Sequence, residues 1–484
     1  MKNYPIIKNV SLLPLLAVLG VVIAGYHPGA EDDGVYLAAI KHDLNSALFP
    51  HDSEFFTVQL QATIFDKLIA GSVRLTRLPL GYVTLAWHYL AILLVLSGCW
   101  RISCRCFVET HARWAAVSLV TVLLTLPVAG SALYLVDQNL HPRALATAAI
   151  LAAIVATLDR RYWIAGGLLL LAVAIHPIMA SFGISFCLFL GWWQPTLNTT
   201  SLGLALAPLG WIFEPTSVAW RAAAQTRDYY FLGRWEWYEW LGVLAPFVFL
   251  WWFRAIGKRQ SATLAHLATR LAIYGIFQLL VALIMMATRT FERLWPLQPM
   301  RYLHLLYLMF AVLGGGLLGQ KVLKTHCWRW LALFVPLAAG MFYAQRRTYP
   351  LSSHLELRGT HSRDPWVEAF LWIRAHTPVD SYFALGPDYM QRPGEDYHGF
   401  RALAERSVLA DAGKDSAVAT QVPRLASRWF DEVEAQRGWE QFGAPDFQRL
   451  KSRFGVNWVV VEQPGPPDLQ CPYENSVVRV CRLE

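Results

Sequence analysis

The chain has 484 residues, of which 55% are hydrophobic and only 16% charged, and it carries a net charge of +8. Soluble domains are about one quarter charged, so this composition, with a mean hydropathy of +0.34, excludes an ordinary soluble enzyme. The positive balance is spread over loops between apolar runs, not gathered into a tract that would grip nucleic acid.

Apolar runs near the roughly 20 residues that cross a bilayer recur along the chain. About eleven are expected, near residues 10–26, 80–100, 114–133, 142–158, 162–176, 178–193, 201–213, 238–253, 267–287, 302–319 and 329–344. The first has no small-residue cleavage site before Tyr26-His27-Pro28, so it reads as an uncleaved span. With eleven spans the basic loops fall on one side: Lys2 and Lys8, Arg101, Arg105 and Arg113, Arg160 and Arg161, Arg254, Lys258 and Arg259, and Lys321, Lys324 and Arg329. That side is expected to be the cytoplasm. The stretch Glu31-Asp32-Asp33, the loops with His141-Pro142 and Glu292-Arg293, and the chain after about residue 345 then face outward.

The segment following the first span is the stretch 26–42, "YHPGAEDDGVYLAAIKH", which opens a long outer loop, residues 27–79. A short helix is expected over Gly34–Leu44. Phe55, Phe56, Leu60, Ile64, Phe65, Leu68 and Ile69 recur at helical spacing, which predicts one amphipathic helix lying on the membrane surface. Three consecutive carboxylates, Glu31, Asp32 and Asp33, are candidates for a general base or for holding a divalent cation against phosphate. The alternative for Asp32 or Asp33 is capping of the following helix.

His27, His141 and His176 each precede a proline at an expected outer span end. They read either as interface residues before a helix-starting proline or as imidazoles gathered near the acidic loop. His141, Arg143 and His176 are therefore candidate substrate-binding residues. Arg289, Arg293 and Arg301, in "TRTFERLWPLQPMRYLHLLYL", sit beside a span on the side that the positive-inside rule disfavours for arginine. A guanidinium fork there suits a phosphate; the alternative is snorkelling or pairing with Glu292.

The tail has a different pattern. "DPWVEAFLWIRAHTPVDSYFAL" predicts an amphipathic helix, a turn and a short strand. "LKSRFGVNWVVVEQPG" predicts a helix end, a glycine and a buried strand over Trp458–Val461. "CPYENSVVRVCRLE" predicts a hairpin around Glu474-Asn475, closed by a Cys471–Cys481 disulfide in an oxidising space. Cys104 and Cys106 form a lone C-x-C without a second pair, which is no zinc motif. The expected fold is thus a polytopic α-helical membrane protein, residues 1–344, with an extracytoplasmic α/β domain, residues 345–484.

This layout resembles the GT-C superfamily of membrane glycosyltransferases, in its bacterial branch. The resemblance rests on "EDDGVY" after the first span, with Tyr36 following Asp33, and on "AFLWIRAHTP" and "FGVNWVVVE" in the tail. It implies a protein of the bacterial inner membrane that moves a sugar from a polyprenyl-phosphate carrier to a glycan, lipid or protein acceptor on the periplasmic side. In that family the first outer loop carries the catalytic carboxylate, which maps onto Asp32 and Asp33, with Glu31 beside them. Some members use a divalent cation, Mg²⁺ or Mn²⁺, and a second acidic motif in a later loop; no such second motif stands out here. The rival readings are a transporter, which would place charge at mid-membrane, and a non-catalytic scaffold for envelope assembly.

Overall fold

A computed structural model describes residues 12–191, 215–357, 359–360, 362–392 and 396–484; the expected span near 201–213 lies outside them. The chain forms two compact units. The first comprises Met1–Gly25, Ala86–Pro215 and Asp228–Gln345; the second comprises Tyr26–Leu85, Thr216–Arg227 and Arg346–Glu484.

The first unit is helical. Among the described residues five helices are long and apolar enough to cross a membrane: Leu80–Cys106, Trp237–Gln260, Ala262–Ala287, Pro299–Leu323 and Cys327–Thr348. Four shorter apolar helices accompany them, Leu13–Ala24, Pro142–Leu158, Tyr162–Ile175 and Pro177–Gly191. Large apolar side chains stand exposed along the long ones, such as Leu241, Val248 and Trp251 on one and Trp328, Leu331 and Val335 on another. A soluble surface would not leave such faces in water, and this is a membrane protein. Helices approach closely where side chains are absent: a Cβ on Gly98 would lie 2.7 Å from Leu151, and one on Gly183 would lie 2.6 Å from Ile150. Small residues at such crossings let backbones pack without a large side chain between them.

The third expected span needs correction. A helix runs only over Thr110–Val122, and the chain then forms β1 (Pro127–Val128) paired antiparallel with β2 (Leu133–Tyr134). Pro127 has no amide to continue a helix. Gly130, at φ +55°, makes the turn where a Cβ would meet the Trp235 ring at 2.3 Å.

The second unit is built on a five-stranded sheet of order β4-β3-β5-β7-β6. Its strands are β3 (Tyr382–Leu385), β4 (Ser407–Val408), β5 (Trp458–Glu462), β6 (Gln470–Glu474) and β7 (Val478–Arg482). β3 runs parallel to β4 and β5, whereas β7 is antiparallel to β5 and β6. Both faces are covered. Phe383, Trp458, Val460 and Val480 pack with Phe370 and Ile373 of helix Pro365–His376. Tyr382, Val459 and Cys481 pack with Phe447 and Leu450 of helix Ala444–Phe454. That second helix stops at Gly455, whose φ of +80° makes the left-handed cap that glycine adopts without strain. A sheet buried on both sides explains why "WVVV" is continuously apolar.

Cys471 and Cys481 form a disulfide between β6 and β7. Alkylation of the unreduced protein is expected to leave these two cysteines unlabelled, and reduction to lower stability by at most about 3 kcal/mol for so short a loop. Labelling of both before reduction would show that the bridge does not form.

Residues 27–79 fold as part of the second unit. The helix Asp33–Leu44 forms as expected. The single amphipathic helix does not: the chain makes helix Glu54–Thr57, a 3-10 turn over Gln59–Ala62 and helix Phe65–Thr76. Phe55, Phe56, Phe65 and Ile69 are fully buried and pack into the second unit, whereas Ile64 of the same stripe is 42% exposed. Asp52 joins it to the sheet region through a buried ion triad. Arg401 Nε donates to Asp52 Oδ2 (2.5 Å), and its two terminal nitrogens grip Asp415 at 2.8 and 2.9 Å.

Candidate active site

The acidic motif sits in the second unit on a backbone held from several sides. Tyr26 bridges Leu355, and Ala30 bridges His398. The Glu31 amide donates to the Tyr397 carbonyl (2.8 Å), and the Gly399 amide donates to the Gly29 carbonyl (2.8 Å). Gly29 at φ +90° and Glu31 at φ +53° turn the chain so that helix Asp33–Leu44 can start. A left-handed glutamate is uncommon and is kept only where its surroundings enforce it.

The three carboxylates are placed differently. Glu31 and Asp32 share one cation: Lys414 Nζ donates to Glu31 Oε2 (2.6 Å) and Asp32 Oδ1 (2.9 Å). Burial alone would lower the Lys414 pKa, but Asp32 and Glu31 outweigh it and push it up. Asp33 is buried, and its Oδ2 accepts from the Gly29 amide (2.9 Å). Asp32 stands at the N-cap position but makes no side-chain capping bond. Capping by Asp32 therefore does not account for the motif, although Asp33 in the first helical turn has a favourable dipole. Behind Lys414, burial and the Asp415 charge raise the Asp411 pKa to about 6.

A second polar cluster lies in the first unit. Arg143 grips Asp137 through Nε (3.2 Å) and a terminal nitrogen (3.0 Å). His141 caps helix Pro142–Leu158, its Nδ1 accepting from the Arg143 amide (3.0 Å), and lies 3.8 Å from Asp137. The His141 and His176 rings are 6.1 Å apart. The stretch before Asp137 is fixed by His304 Nε2 on the Leu135 carbonyl (2.9 Å), and the residue after it by Gln138 on Gln345 (2.6 Å). His141, Arg143 and His176 are thus gathered together. His27 is not with them: it belongs to the second unit, stacked on Tyr349 and bonded to Glu356 (2.6 Å).

The arginines occupy one irregular segment of the first unit. Arg289 and Arg293 lie on the 3-10 turn Arg289–Leu297, and Arg301 ends the next turn, Pro299–Arg301. Arg289 is exposed. Arg293 reaches the Pro215 carbonyl (3.5 Å), and the Arg301 guanidinium stands 5.9 Å from the Tyr229 ring centre.

Sequence reasoning missed Asp137 and Lys414. Asp137 is four residues before His141 in "VDQNLHPR", so an acidic residue ahead of the His-Pro pair was a usable signal. Lys414 had none, because its partners are more than 380 residues away in the chain.

Among solved structures, the chain is similar to the oligosaccharyltransferase of Archaeoglobus fulgidus, whose crystal structure is a complex with Zn and sulfate. The TM-score is 0.46 and the identity 13%, over 94% of this chain and 67% of that one. No protein-family model and no curated protein matches the sequence.

Proposed function

We propose that this protein is an inverting membrane glycosyltransferase. It moves a sugar from a polyprenyl-phosphate carrier to a glycan, lipid or protein acceptor on the extracytoplasmic side of the bacterial inner membrane. In this reading about eleven spans place the N-terminus in the cytoplasm and residues 27–79 and 345–484 outside. The observation that carries it is the acidic motif of the first outer loop. Three carboxylates follow the first apolar helix, two are fixed by Lys414, and Asp33 is held by a backbone amide.

The roles follow from the chemistry. Asp33 takes the proton of the acceptor as the acceptor atom bonds to the sugar's anomeric carbon. The bond from that carbon to the carrier phosphate breaks, and the phosphate leaves with the electron pair. Asp32 and Glu31 flank the base. Arg289, Arg293 and Arg301 suit the leaving phosphate, and His141, Arg143 and His176 suit substrate hydroxyls. Glu31 and Asp32 do not fit a divalent cation such as Mg²⁺ or Mn²⁺, because Lys414 Nζ already lies between them. No step is assigned to a metal at this motif.

The test is transfer of labelled sugar from a polyprenyl-phosphate donor by the purified protein in proteoliposomes. Transfer that depends on the carboxylates supports the reading; its absence with every donor tried favours the scaffold. Within the same assay, Arg293→Gln and Arg301→Gln are expected to weaken donor binding about 10- to 150-fold, as loss of a charged hydrogen bond worth roughly 1.5–3 kcal/mol requires. Unchanged donor affinity in both would return these arginines to an interfacial role.

A further inference from the structure

In the second unit, three buried side chains from separate positions converge: Asp364, Asp396 and His398, each offering one donor atom within 4.8 Å of the other two. His398 Nδ1 lies 3.8 Å from Asp364 Oδ2, too far for a hydrogen bond. His398 is 2% exposed and Asp396 6%, yet His398 Nδ1 and Asp396 Oδ2 have no hydrogen-bond partner among the described residues. Buried polar atoms are nearly always satisfied, so these two need an explanation.

The surroundings supply one. Asp364 Oδ1 caps helix Pro365–His376 through the Trp366 amide (2.8 Å), and Asp396 Oδ1 accepts from the Leu351 amide (3.3 Å). Glu356 orients the imidazole, its Oε2 accepting from His398 Nε2 (3.1 Å) while its Oε1 is bonded to His27 Nδ1 (2.6 Å). With a metal ion in place of the Nδ1 proton, Nε2 keeps its proton toward Glu356 and the Nδ1 lone pair is directed toward the two aspartates. A carboxylate behind the far nitrogen is the arrangement that orients metal-binding histidines.

We propose that Asp364, Asp396 and His398 bind one zinc ion. Two carboxylates offset its two charges, and the imidazole selects a first-row transition metal over Mg²⁺ or Ca²⁺, which prefer oxygen ligands. Zinc bonds of about 2.0–2.2 Å require the donor atoms to draw together by roughly 1 Å, within the reach of side-chain rotation, with water completing the four-coordinate set. The site's role is structural. His398 bridges Ala30, and its neighbours Tyr397 and Gly399 bond Glu31 and Gly29, so the ion would stiffen the backbone that presents the acidic motif. The inference stands on these donors alone and is independent of the transferase reading.

The test uses the full-length protein in detergent, stripped with a chelator, gel-filtered after adding Zn²⁺, and measured by elemental analysis and thermal unfolding. One zinc per chain and a raised Tm are expected. Asp364→Asn keeps the helix cap, since Asn caps as well as Asp, but removes a charged ligand; it and His398→Gln are each expected to lower zinc affinity by more than about tenfold. Asp33→Asn is expected to retain the full zinc content. Failure of the unaltered protein to retain zinc would overturn the proposal. So would undiminished affinity in both ligand variants, or loss of zinc in Asp33→Asn, which would move the ion to the acidic loop.

Discussion

Asp33→Asn is expected to give a folded, membrane-inserted protein whose sugar transfer is lower by about 10²–10⁴-fold, the usual contribution of a general base. The fold survives because an Asn oxygen can accept the Gly29 amide in place of Asp33 Oδ2. What disappears is charge and basicity. Asp32→Asn isolates the neighbour: it weakens the hold of Lys414, which still has Glu31, and is expected to cost less. If Asp32→Asn proves the more damaging, the base is Asp32. Full transfer by both single variants and the double variant would sink the glycosyltransferase reading.

Local pattern made the tail readable. The run Trp458–Val461 is flanked by Gly455 and a proline, and two cysteines bracket the last hairpin, so strand, helix end and disulfide all announce themselves within a few residues. The apolar stripe of residues 55–69 reads as one membrane-surface helix, whereas the structure divides it into two helices and a 3-10 turn and buries four of its residues. Phe55, Phe56, Phe65 and Ile69 have the same helical spacing whether the apolar partner is lipid or protein core. Periodicity reports that a face is buried, not what buries it. The helix break after Ala62 was likewise hidden, because apolar residues on both sides of it keep one period. In the candidate site the residue types were visible and their partners were not. Lys414 pairs with Glu31 and Asp32, and Glu356 with His27, across hundreds of residues, and no local rule couples such distant positions.

Arg401→Met is expected to destabilise the second unit by about 3–5 kcal/mol. Arg401 is 5% exposed, and the side chains of its partners Asp52 and Asp415 are fully buried. Its guanidinium spans both carboxylates in a way one lysine ammonium cannot, so Arg401→Lys should also be destabilising. Asp52 Oδ2 also accepts from the Val408 amide (3.1 Å), and Asp415 Oδ2 from the Asp411 amide (3.0 Å), so the triad ties the segment carrying Asp52 to β4 and to the segment before Lys414. Without Arg401, two buried carboxylates face each other with no cation between them. Chemical denaturation of wild type and Arg401→Met at pH 7 measures the gap. Replacing all three residues with apolar side chains of similar volume is expected to recover much of the loss, since it removes the charges that need pairing. A gap below about 1 kcal/mol at pH 7, outside the range for breaking a buried pair, would show that water reaches the triad and that the loop is anchored elsewhere.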